Sequence, residues 1–403
     1  MKLSFTFFCL LFMMYASAQR CVILQDAKQS ATNRGSGDVI TKTTSRDTLT
    51  DEVITIPVVI HVLYNTDQQN ISNQQILSQI DVLNKDYRRQ NSDAKNTPEV
   101  FKKVAADTKI VFCLAKVDPD GNYTTGIIRK YTKETSFLND DGMKFSKTGG
   151  DEAWDAGKYL NIWICNLSGN TLGYAVLPGS PAERDGVVIK YSAFGNTGTV
   201  AAPYNKGRTA THEIGHWLGL RHLWGDADCG DDGIADTPQQ QTGNTGCTGF
   251  PHLSSCSVNS YGDMFMNFMD FSDDACMNMF TQGQKNEMRS LFALGNSKNS
   301  FLNAAVCDSN NAQSGSLPTE NPSDSLLIST YPNPFTNTIN ISSKSAINIT
   351  GKVVKLYAVT GQLYISKKIE SSKTTLQVDN LPSGIYFLKI EGGKKPLVYK
   401  LIK

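Results

Sequence analysis

The chain has 403 residues and nearly balanced charge, with 39 basic and 38 acidic residues and a net charge of +1. This length accommodates two or three domains. The near-zero charge excludes the global basic field of a nucleic-acid-binding protein and the acidic excess of a solvating tail.

The N-terminus has the pattern of a secretory signal peptide over residues 1–18. Lys2 precedes an apolar run over residues 3–14, and small residues at 16–18 suit a signal-peptidase cut. A buried strand or an anchor helix is the alternative, but no segment of the chain reaches the ~20 apolar residues that a membrane span requires. Export to an oxidising compartment would make disulfides plausible among the nine cysteines.

The next segment is polar as far as about residue 51 and has no helical or strand periodicity. It predicts a pro-segment over 19–45, ahead of a catalytic domain over 46–307. A buried strand is expected at 53–64, where His61 should be a hydrogen-bonded core residue.

The catalytic domain continues with a helix that begins at a capping-box pair, Ser72 and Gln75. A second helix is expected to start near Thr209. Between the two helices, strands are expected at 109–116, 159–166, 173–179 and 186–189, the last two as an edge strand and its neighbour. This order predicts an α+β domain with a mixed twisted sheet, followed by a loop-rich half.

The sequence HEIGHWLGLRH is the strongest functional signal in the chain. His212 and His216 are four residues apart and share one face of a helix, so both imidazoles can bind one metal. Glu213 can reach a water on that metal, and Gly219 lets the chain turn so that His222 arrives as a third ligand. Three protein ligands with an open fourth position predict one catalytic zinc per chain. A chance match on an ordinary amphipathic helix is the alternative.

The composition changes after Cys307. Residues 308–327 are rich in Ser, Asn, Gly and Pro and predict a linker. Residues 328–403 predict a small antiparallel Ig-like sandwich, because short alternating segments are separated by turn signals. Its strands are expected at 339–341, 352–358, 362–367, 374–378 and 384–390. This module has no His, no Cys and no acid cluster, so no chemistry is assigned to it.

HEIGHWLGLRH resembles the metzincin signature HExxHxxGxxH, which implies a Met-containing turn beneath the metal. The sequence NFMDF, centred on Met269, is similar to that turn; a lone core Met is the alternative. The zinc helix, the turn and a later helix capped by Thr281 and Gln284 together resemble the pappalysin family of metzincins over residues 53–302. The resemblance is strongest to its shorter secreted bacterial members, of the ulilysin and mirolysin kind. Members often carry a Tyr where this chain has Phe271, and its hydroxyl can help hold the oxyanion.

The same resemblance implies two crossed disulfides between the zinc helix and the turn. The implied pairs are Cys229–Cys256 and Cys247–Cys276. Each could stabilise the fold by roughly 3 kcal/mol in the chain-entropy model. A structural zinc is the alternative, although the spacings contain no CxxC.

Three further cysteines have no implied pairing. Cys113 and Cys165 lie in two predicted strands that we expect to be neighbours, where they either pair or stay buried. Cys307 has no assigned partner.

An oxygen-rich loop follows the zinc helix. Its acids are Asp226, Asp228, Asp231, Asp232 and Asp236. Such loops suit a hard cation such as calcium. Pappalysin relatives bind structural calcium in this region, which makes Asp236 and Thr237 the implied ligands. An exposed polar loop without a metal is the alternative.

Asp274 follows the turn Met by five residues, and the resemblance implies that it walls the pocket for the residue after the scissile bond. Family members with an acid there prefer Arg or Lys. A partly buried carboxylate without a cation would pair with a substrate guanidinium in two-pronged geometry. Asp273 is the expected solvated neighbour. The same preference would permit self-maturation at or near Ser45–Arg46.

Arg20–Cys21 lies directly after the predicted signal-peptidase cut. A pro-segment thiolate is a soft ligand suited to the open zinc position. Some relatives are held inactive by a cysteine in a matching Arg-Cys context. A latent zymogen is therefore expected, with a spare cysteine or a lipid attachment site as alternatives.

Residues 328–403 resemble the type A sorting domains of the type IX secretion system. The resemblance rests on YPNPF, VVKLYAVTG, LPSGIYFL and the terminal KLIK. It implies contact with that secretion machinery, outer-membrane translocation to the cell surface or medium, and removal of the module. A carbohydrate-binding sandwich is the alternative, but no aromatic platform is evident.

Together these patterns predict a secreted zinc endopeptidase that acts on protein or peptide substrates. Zinc would lower the pKa of a water, and Glu213 would take its proton and pass it to the leaving amine. An amidase with a narrow non-protein substrate is the alternative among enzymes, and an adhesin on an inactive metzincin scaffold is the alternative outside them. The intact Glu213 argues against the adhesin, since only catalysis requires it.

Overall fold

The structure is a computed structural model that describes residue 21 and residues 51–256, 261–308, 328–331, 335–343, 349–358, 362–391 and 397–403. The chain divides into two compact units, Met1–Ala312 and Gln313–Lys403. The division falls inside the predicted linker. The predicted signal peptide, the pro-segment apart from Cys21, and Ser45–Arg46 lie outside the described residues.

Six strands form the sheet of the first unit: β1 (Ile54–Tyr64), β2 (Ile110–Leu114), β3 (Ile127–Tyr131), β4 (Leu160–Cys165), β5 (Gly173–Ala175) and β6 (Val187–Lys190). Their order is β2–β1–β4–β6–β5, and β3 also pairs with β1. All pairs are parallel except the antiparallel pair of β5 and β6. The sheet is therefore mixed. The strand β5 lies at its edge next to β6, as the sequence predicts, and the structure shows that this pair is antiparallel.

The long strand β1 lies in the middle of this sheet. It is almost continuously buried, as expected of a parallel strand covered on both faces. His61 on β1 is a core residue, with its ring nitrogens 2.8 Å from the Asp151 carboxylate and 3.0 Å from the Asn161 amide oxygen. The strand β3 was not predicted, because its residues are only half-buried and show no apolar alternation.

The described residues contain four α-helices: α1 (Asn73–Tyr87), α2 (Glu99–Lys102), α3 (Arg208–Trp217) and α4 (Gln282–Ser290). Short 3-10 turns occur at Ser92–Asn96, Gly142–Lys144, Ser146–Thr148, Tyr191–Ala193 and Asn299–Asn303. Ser72 caps α1 by accepting the Gln75 N–H, and a complete capping box of Thr281 and Gln284 starts α4. Both predicted helix starts are confirmed, but the predicted capping box at Ser72 is only half formed, because the Gln75 side chain donates to the Phe194 carbonyl instead.

Between α3 and α4, residues 218–256 and 261–281 contain no helix or strand. Two crossed disulfides hold this region, Cys229–Cys256 and Cys247–Cys276, each with 5.7 Å between its Cα atoms. Both are the implied pairs. The two disulfides stabilise a region that lacks the backbone hydrogen bonds of helices and strands.

A third disulfide joins Cys113 on β2 to Cys307 near the end of the unit. The alternative pairing of Cys113 with Cys165 is wrong, because β1 lies between β2 and β4. Two strand spacings separate those cysteines by roughly 10 Å, whereas a disulfide requires Cα atoms within about 7 Å. Cys165 is buried in β4, and burial raises the pKa of its thiol.

The second unit consists of two antiparallel sheets with the orders β10–β9–β12–β13 and β11–β8–β7. The strands are β7 (Ile328–Tyr331), β8 (Thr338–Ser343), β9 (Val353–Ala358), β10 (Leu363–Lys368), β11 (Lys373–Gln377), β12 (Ile385–Glu391) and β13 (Leu397–Ile402). Residues of both sheets, such as Ile339 and Leu388, share one apolar core. The predicted sandwich is confirmed, with β7 and β13 added. Within the described ranges, no helix has the length and apolar character of a membrane span.

Candidate active site and metal centre

The helix α3 carries the first two predicted metal ligands. It starts after Gly207, which adopts a left-handed conformation with φ of 79°. It ends at Leu218, and Gly219 follows with φ of +89°, a region that side chains disfavour. The chain turns at this glycine and brings His222 back towards His212 and His216.

The Nε2 atoms of the three histidines converge. They lie 3.1 Å apart for His212 and His216, 3.0 Å for His216 and His222, and 3.3 Å for His212 and His222. Each Nδ1 atom contacts an oxygen acceptor: the Phe268 carbonyl 2.7 Å from His212, the Leu220 carbonyl 2.8 Å from His216, and the Asp226 carboxylate 2.5 Å from His222. Each Nδ1 therefore carries the proton, and the Nε2 lone pairs face a common point. This donor set fits a zinc ion.

The electrostatics of the cluster favour a neutral imidazole at His216. Burial, reinforced by the neighbouring His222, lowers the pKa of His216 to about 3. Burial would raise the pKa of Asp226, but its hydrogen bond with His222 holds that pKa below its ordinary range. Asp226 thus remains a carboxylate that orients the third imidazole, as outer partners of metal-binding histidines do.

Glu213 is fully buried next to the edge strand β5. A Cβ atom at Gly173 would lie 3.0 Å from Glu213 Cγ and 2.9 Å from the Val188 carbonyl. Glycine at this position therefore allows β5 to lie directly against the carboxylate side chain.

Cys21 reaches the same place from the far N-terminal part of the chain. Its thiol donates a hydrogen bond to Glu213 Oε2 at 3.3 Å. Its sulfur and the nitrogens of the three histidines all lie within 4.8 Å of one another. Cys21 also forms an isolated parallel bridge with Gly173 on β5.

The predicted Met-turn lies beneath the histidines. Met269 is fully buried, and a Cβ atom at Gly215 would lie 2.5 Å from its sulfur. The preceding residue, Phe268, supplies the carbonyl that accepts from His212. The Phe271 ring packs 4.8 Å from the rings of His222 and Trp224. The turn thus supports the imidazoles from below.

Asp274 is fully buried, and its Oδ2 accepts the backbone N–H groups of Lys206 at 2.8 Å and Arg208 at 3.2 Å. Asp274 is therefore more deeply buried than expected, and its role toward a substrate cation stays a prediction. The buried Arg208 lies at the start of α3, and burial would lower its pKa, but Asp86, Asp93 and Asp274 hold that pKa above its ordinary value. Asp273 is half-buried, as expected of the more solvated neighbour.

The two implied calcium ligands, Asp236 and Thr237, form hydrogen bonds with other residues of the protein. Both follow the last histidine ligand in the chain. Asp236 accepts from the Thr281 hydroxyl at 2.7 Å and the Gly283 N–H at 2.8 Å, at the start of α4. The Thr237 hydroxyl contacts the Asp232 carboxylate at 2.8 Å. Within the described ranges, the single group of three or more His, Cys, Asp or Glu atoms arranged for a metal is that of Cys21 and the histidines.

The structure also identifies site residues that the sequence did not reveal. They are Asp226, the Phe268 carbonyl, Gly215 and Arg208. Asp226 follows His222 by four residues, but this spacing alone does not distinguish it from the other acids of the loop. The other three act through tertiary contacts that leave no local pattern.

Comparisons with known proteins agree with this geometry. The family model described as pregnancy-associated plasma protein-A, a peptidase family of type M43, matches residues 145–293. The model of the secretion system C-terminal sorting domain matches residues 329–403. An extracellular metalloprotease of Arthroderma benhamiae is 33% identical over 245 residues, which cover 58% of this chain and 76% of the relative.

Two solved structures from Tannerella forsythia are also similar. Mature mirolysin in complex with a cleaved peptide is 49% identical, with a TM-score of 0.61, over 65% of this chain and 98% of that chain. A mutant of promirolysin is 50% identical, with a TM-score of 0.61, over 62% of this chain and 84% of that chain.

Proposed function

The chain belongs to the metallopeptidase family of pregnancy-associated plasma protein-A, and we propose that it is a self-processed zymogen whose mature form cuts before Arg and, second, before Lys. It is a zinc metalloendopeptidase, and it is secreted or displayed at the cell surface by way of its type IX sorting domain. The observation that supports a catalytic metal site in this enzyme is the convergence of three imidazole nitrogens beside the Glu213 carboxylate. The adhesin alternative does not fit a peptidase family.

His212, His216 and His222 would hold the zinc, which supplies a Lewis acid that polarises the scissile carbonyl and lowers the pKa of water. Glu213 takes the proton of the attacking water and delivers it to the leaving amine. Phe271 has no hydroxyl, so this position donates no hydrogen bond to the oxyanion. Because β5 is an edge strand next to Glu213, an extended substrate can add to it as a further strand.

The proposed preference for a basic residue rests on Asp274. It binds the N–H of Arg208, which precedes the zinc ligand His212 by four residues, about 6 Å along a helix axis. A long side chain after the scissile bond can span that distance. The acids around Arg208 outnumber it three to one, so an additional cation is electrostatically favoured.

We propose that Cys21 holds the zymogen inactive as the fourth zinc ligand. Two observations support this role: the closeness of its sulfur to the three histidines, and its hydrogen bond to the catalytic Glu213. On binding zinc, Cys21 would give up its thiol proton to Glu213, so the thiolate would exclude the attacking water while the protonated Glu213 could not act as a base. Maturation at or near Ser45–Arg46 would then follow from the basic preference, because this bond ends the predicted pro-segment.

We also propose that Asp236 and Thr237 bind a calcium ion that stabilises the fold. Burial raises the pKa of Asp232 to about 6, and the charges of Asp231 and Asp236 add to this, so a cation would relieve their repulsion. A calcium-dependent rise in Tm that Asp236→Asn abolishes would support the proposal. An equal rise in the variant would contradict it.

The central experiment is Glu213→Ala. The carboxylate is not among the converging donors that fit the metal, so we expect zinc content to be retained while casein hydrolysis falls at least about a hundredfold. Glu99→Ala is the matched control, because Glu99 is an exposed acid on α2. Near-normal turnover in Glu213→Ala with zinc retained would overturn the proposed mechanism.

A further inference from the structure

Two contacts fix how the chain after the turn Met lies along α3. His212 Nδ1 contacts the Phe268 carbonyl at 2.7 Å, and Asp274 accepts the Arg208 N–H at 3.2 Å. Residues 268–274 therefore run beside α3 from His212 back to its first residue. In sequence, Thr209 lies between Arg208 and His212, and Ser272 lies between Phe268 and Asp274, so the two residues belong to the stretches that these contacts align.

Thr209 and Ser272 are fully buried, and neither hydroxyl has a hydrogen-bond partner within the described structure. Burying an unsatisfied hydroxyl is costly, and an apolar residue of similar size would avoid the cost. Thr209 precedes His212 by three residues and therefore shares its face of α3. Two unsatisfied hydroxyls between the metal ligands and Asp274 indicate groups that a bound molecule completes.

The chemistry of that molecule follows from what Asp274 has already bound. Its Oδ2 atom accepts two backbone N–H groups, from Lys206 and Arg208. A guanidinium has five N–H donors in a fixed plane, whereas an ammonium has three that rotate. A guanidinium therefore needs more acceptors than this carboxylate offers, and the hydroxyl oxygens of Thr209 and Ser272, which are close in sequence to Arg208 and Asp274, would supply them.

We propose that Thr209 and Ser272 complete the pocket for the residue after the scissile bond and set its preference for Arg over Lys. The inference rests on the proposed basic preference through Asp274. It assigns the choice between the two cations to the hydroxyls, and the attraction of either cation to the carboxylate.

The test uses the mature enzyme and three peptides that differ only in having Arg, Lys or Met after the cut. We expect wild type to rank them Arg, Lys, Met by kcat/KM. Thr209→Val and Ser272→Ala should each lower the Arg-to-Lys ratio by about tenfold, because each removes one acceptor. Thr209→Ser retains the hydroxyl and should keep the ratio.

Thermal stability measurements distinguish a role of the two hydroxyls in substrate preference from a role in holding the fold together. Thr209→Val removes an unsatisfied buried hydroxyl at nearly constant volume, so its Tm should equal or exceed that of wild type. Zinc content should match wild type in every variant.

The outcomes distinguish two failures. Wild type without a basic preference would overturn the proposed pocket at Asp274 itself. A wild-type preference for Arg over Lys that persists in Thr209→Val and Ser272→Ala would overturn the hydroxyl inference alone. A lowered Arg-to-Lys ratio in Thr209→Ser would also overturn the hydroxyl inference, because packing of the methyl group would then set the preference.

Discussion

Arg208 and the acids around it illustrate how one buried charge organises the start of the zinc helix. Its Nε lies 2.9 Å from the Asp86 carboxylate, and its Nη1 lies 3.2 Å from Asp93. The guanidinium also lies over the Phe268 ring, 5.1 Å from its centroid. Arg208 thus ties α1 and the Met-turn to α3. Asp86, Asp93 and Asp274 all raise the pKa of this one guanidinium, so the acids outnumber the cation, although burial raises the pKa of Asp86 to about 7.

Asp274→Asn tests the contribution of that charge to specificity. The amide oxygen can still accept the N–H groups of Lys206 and Arg208, so the fold should persist while the negative charge is lost. We expect kcat/KM for a peptide with Arg after the cut to fall at least about tenfold, since charge-assisted bonds are the strong ones. A peptide-library digest with kinetics on matched peptides measures this. Asp273→Asn is the control, and an unchanged preference in Asp274→Asn would refute the pocket.

At the scale of elements, α3 and the Met-turn must approach closely for the histidines to be held from below. Gly215 allows this approach because it has no side chain to meet the Met269 sulfur. The turn is itself fixed to α4, where Asn267 and Gln284 exchange side-chain hydrogen bonds of 2.8 and 3.0 Å. The same Gln284 completes the capping box of α4. One chain of contacts therefore joins the metal centre to the last helix of the unit.

Gly215→Ala should separate these elements. A methyl group 2.5 Å from the sulfur forces the turn away from α3, and overpacking of this kind costs about 1–3 kcal/mol. We expect a lower Tm and weaker zinc retention against a chelator. Gly249→Ala is the control, because a Cβ atom there meets nothing within 4 Å. A wild-type Tm in Gly215→Ala would mean that Met269 relaxes freely.

The bridge between Cys21 and β5 places a residue of the proposed pro-segment on the edge strand proposed for the substrate. Cys21→Ala should therefore shorten the lag before purified zymogen becomes active, because both the metal ligand and the hydrogen bond to Glu213 are lost. Fluorogenic-peptide hydrolysis followed from purification onward gives the rate. Activation no faster than wild type would exclude the switch.

A second readout for Cys21 does not depend on activity. In cobalt-substituted zymogen that carries Glu213→Ala, a sulfur-to-cobalt charge-transfer band should be present. Adding Cys21→Ala should remove it. A band that is absent from the start would show that the thiolate does not bind the metal.

At the scale of the whole molecule, chemistry and export belong to separate compact units. Every residue proposed for catalysis lies in the first unit, which has its own apolar core. The second unit matches the sorting domain and has a core of its own. Its match implies recognition by the type IX secretion machinery.

A chain that ends at Ala312 should therefore keep the Tm and peptidase activity of the catalytic unit but fail to cross the outer membrane. Cell fractionation with activity measurements in each fraction tests this. The full-length Glu213→Ala chain is the matched control, since it should be exported without activity. Export of the shortened chain would contradict the role of the sorting domain.

Local sequence determined much of this protein. The apolar run of β1, the capping residues Ser72 and Thr281, and the alternation in the sandwich strands predicted elements that the structure contains. These features depend on near neighbours in the chain, so periodicity and capping reveal them. The metal-binding pattern was visible for the same reason, because His212 and His216 lie within one helix and His222 follows a single glycine turn.

The tertiary structure decided what depends on distant residues. The partner of Cys113 is Cys307, 194 residues away, because β1 intervenes before Cys165. The Arg208 backbone N–H that binds Asp274 comes from the start of α3, 66 residues earlier. The stretches that contain Thr209 and Ser272 are aligned only when the Met-turn segment packs along α3. Sequence spacing specifies which side chains one element presents, whereas packing between elements determines which of them meet.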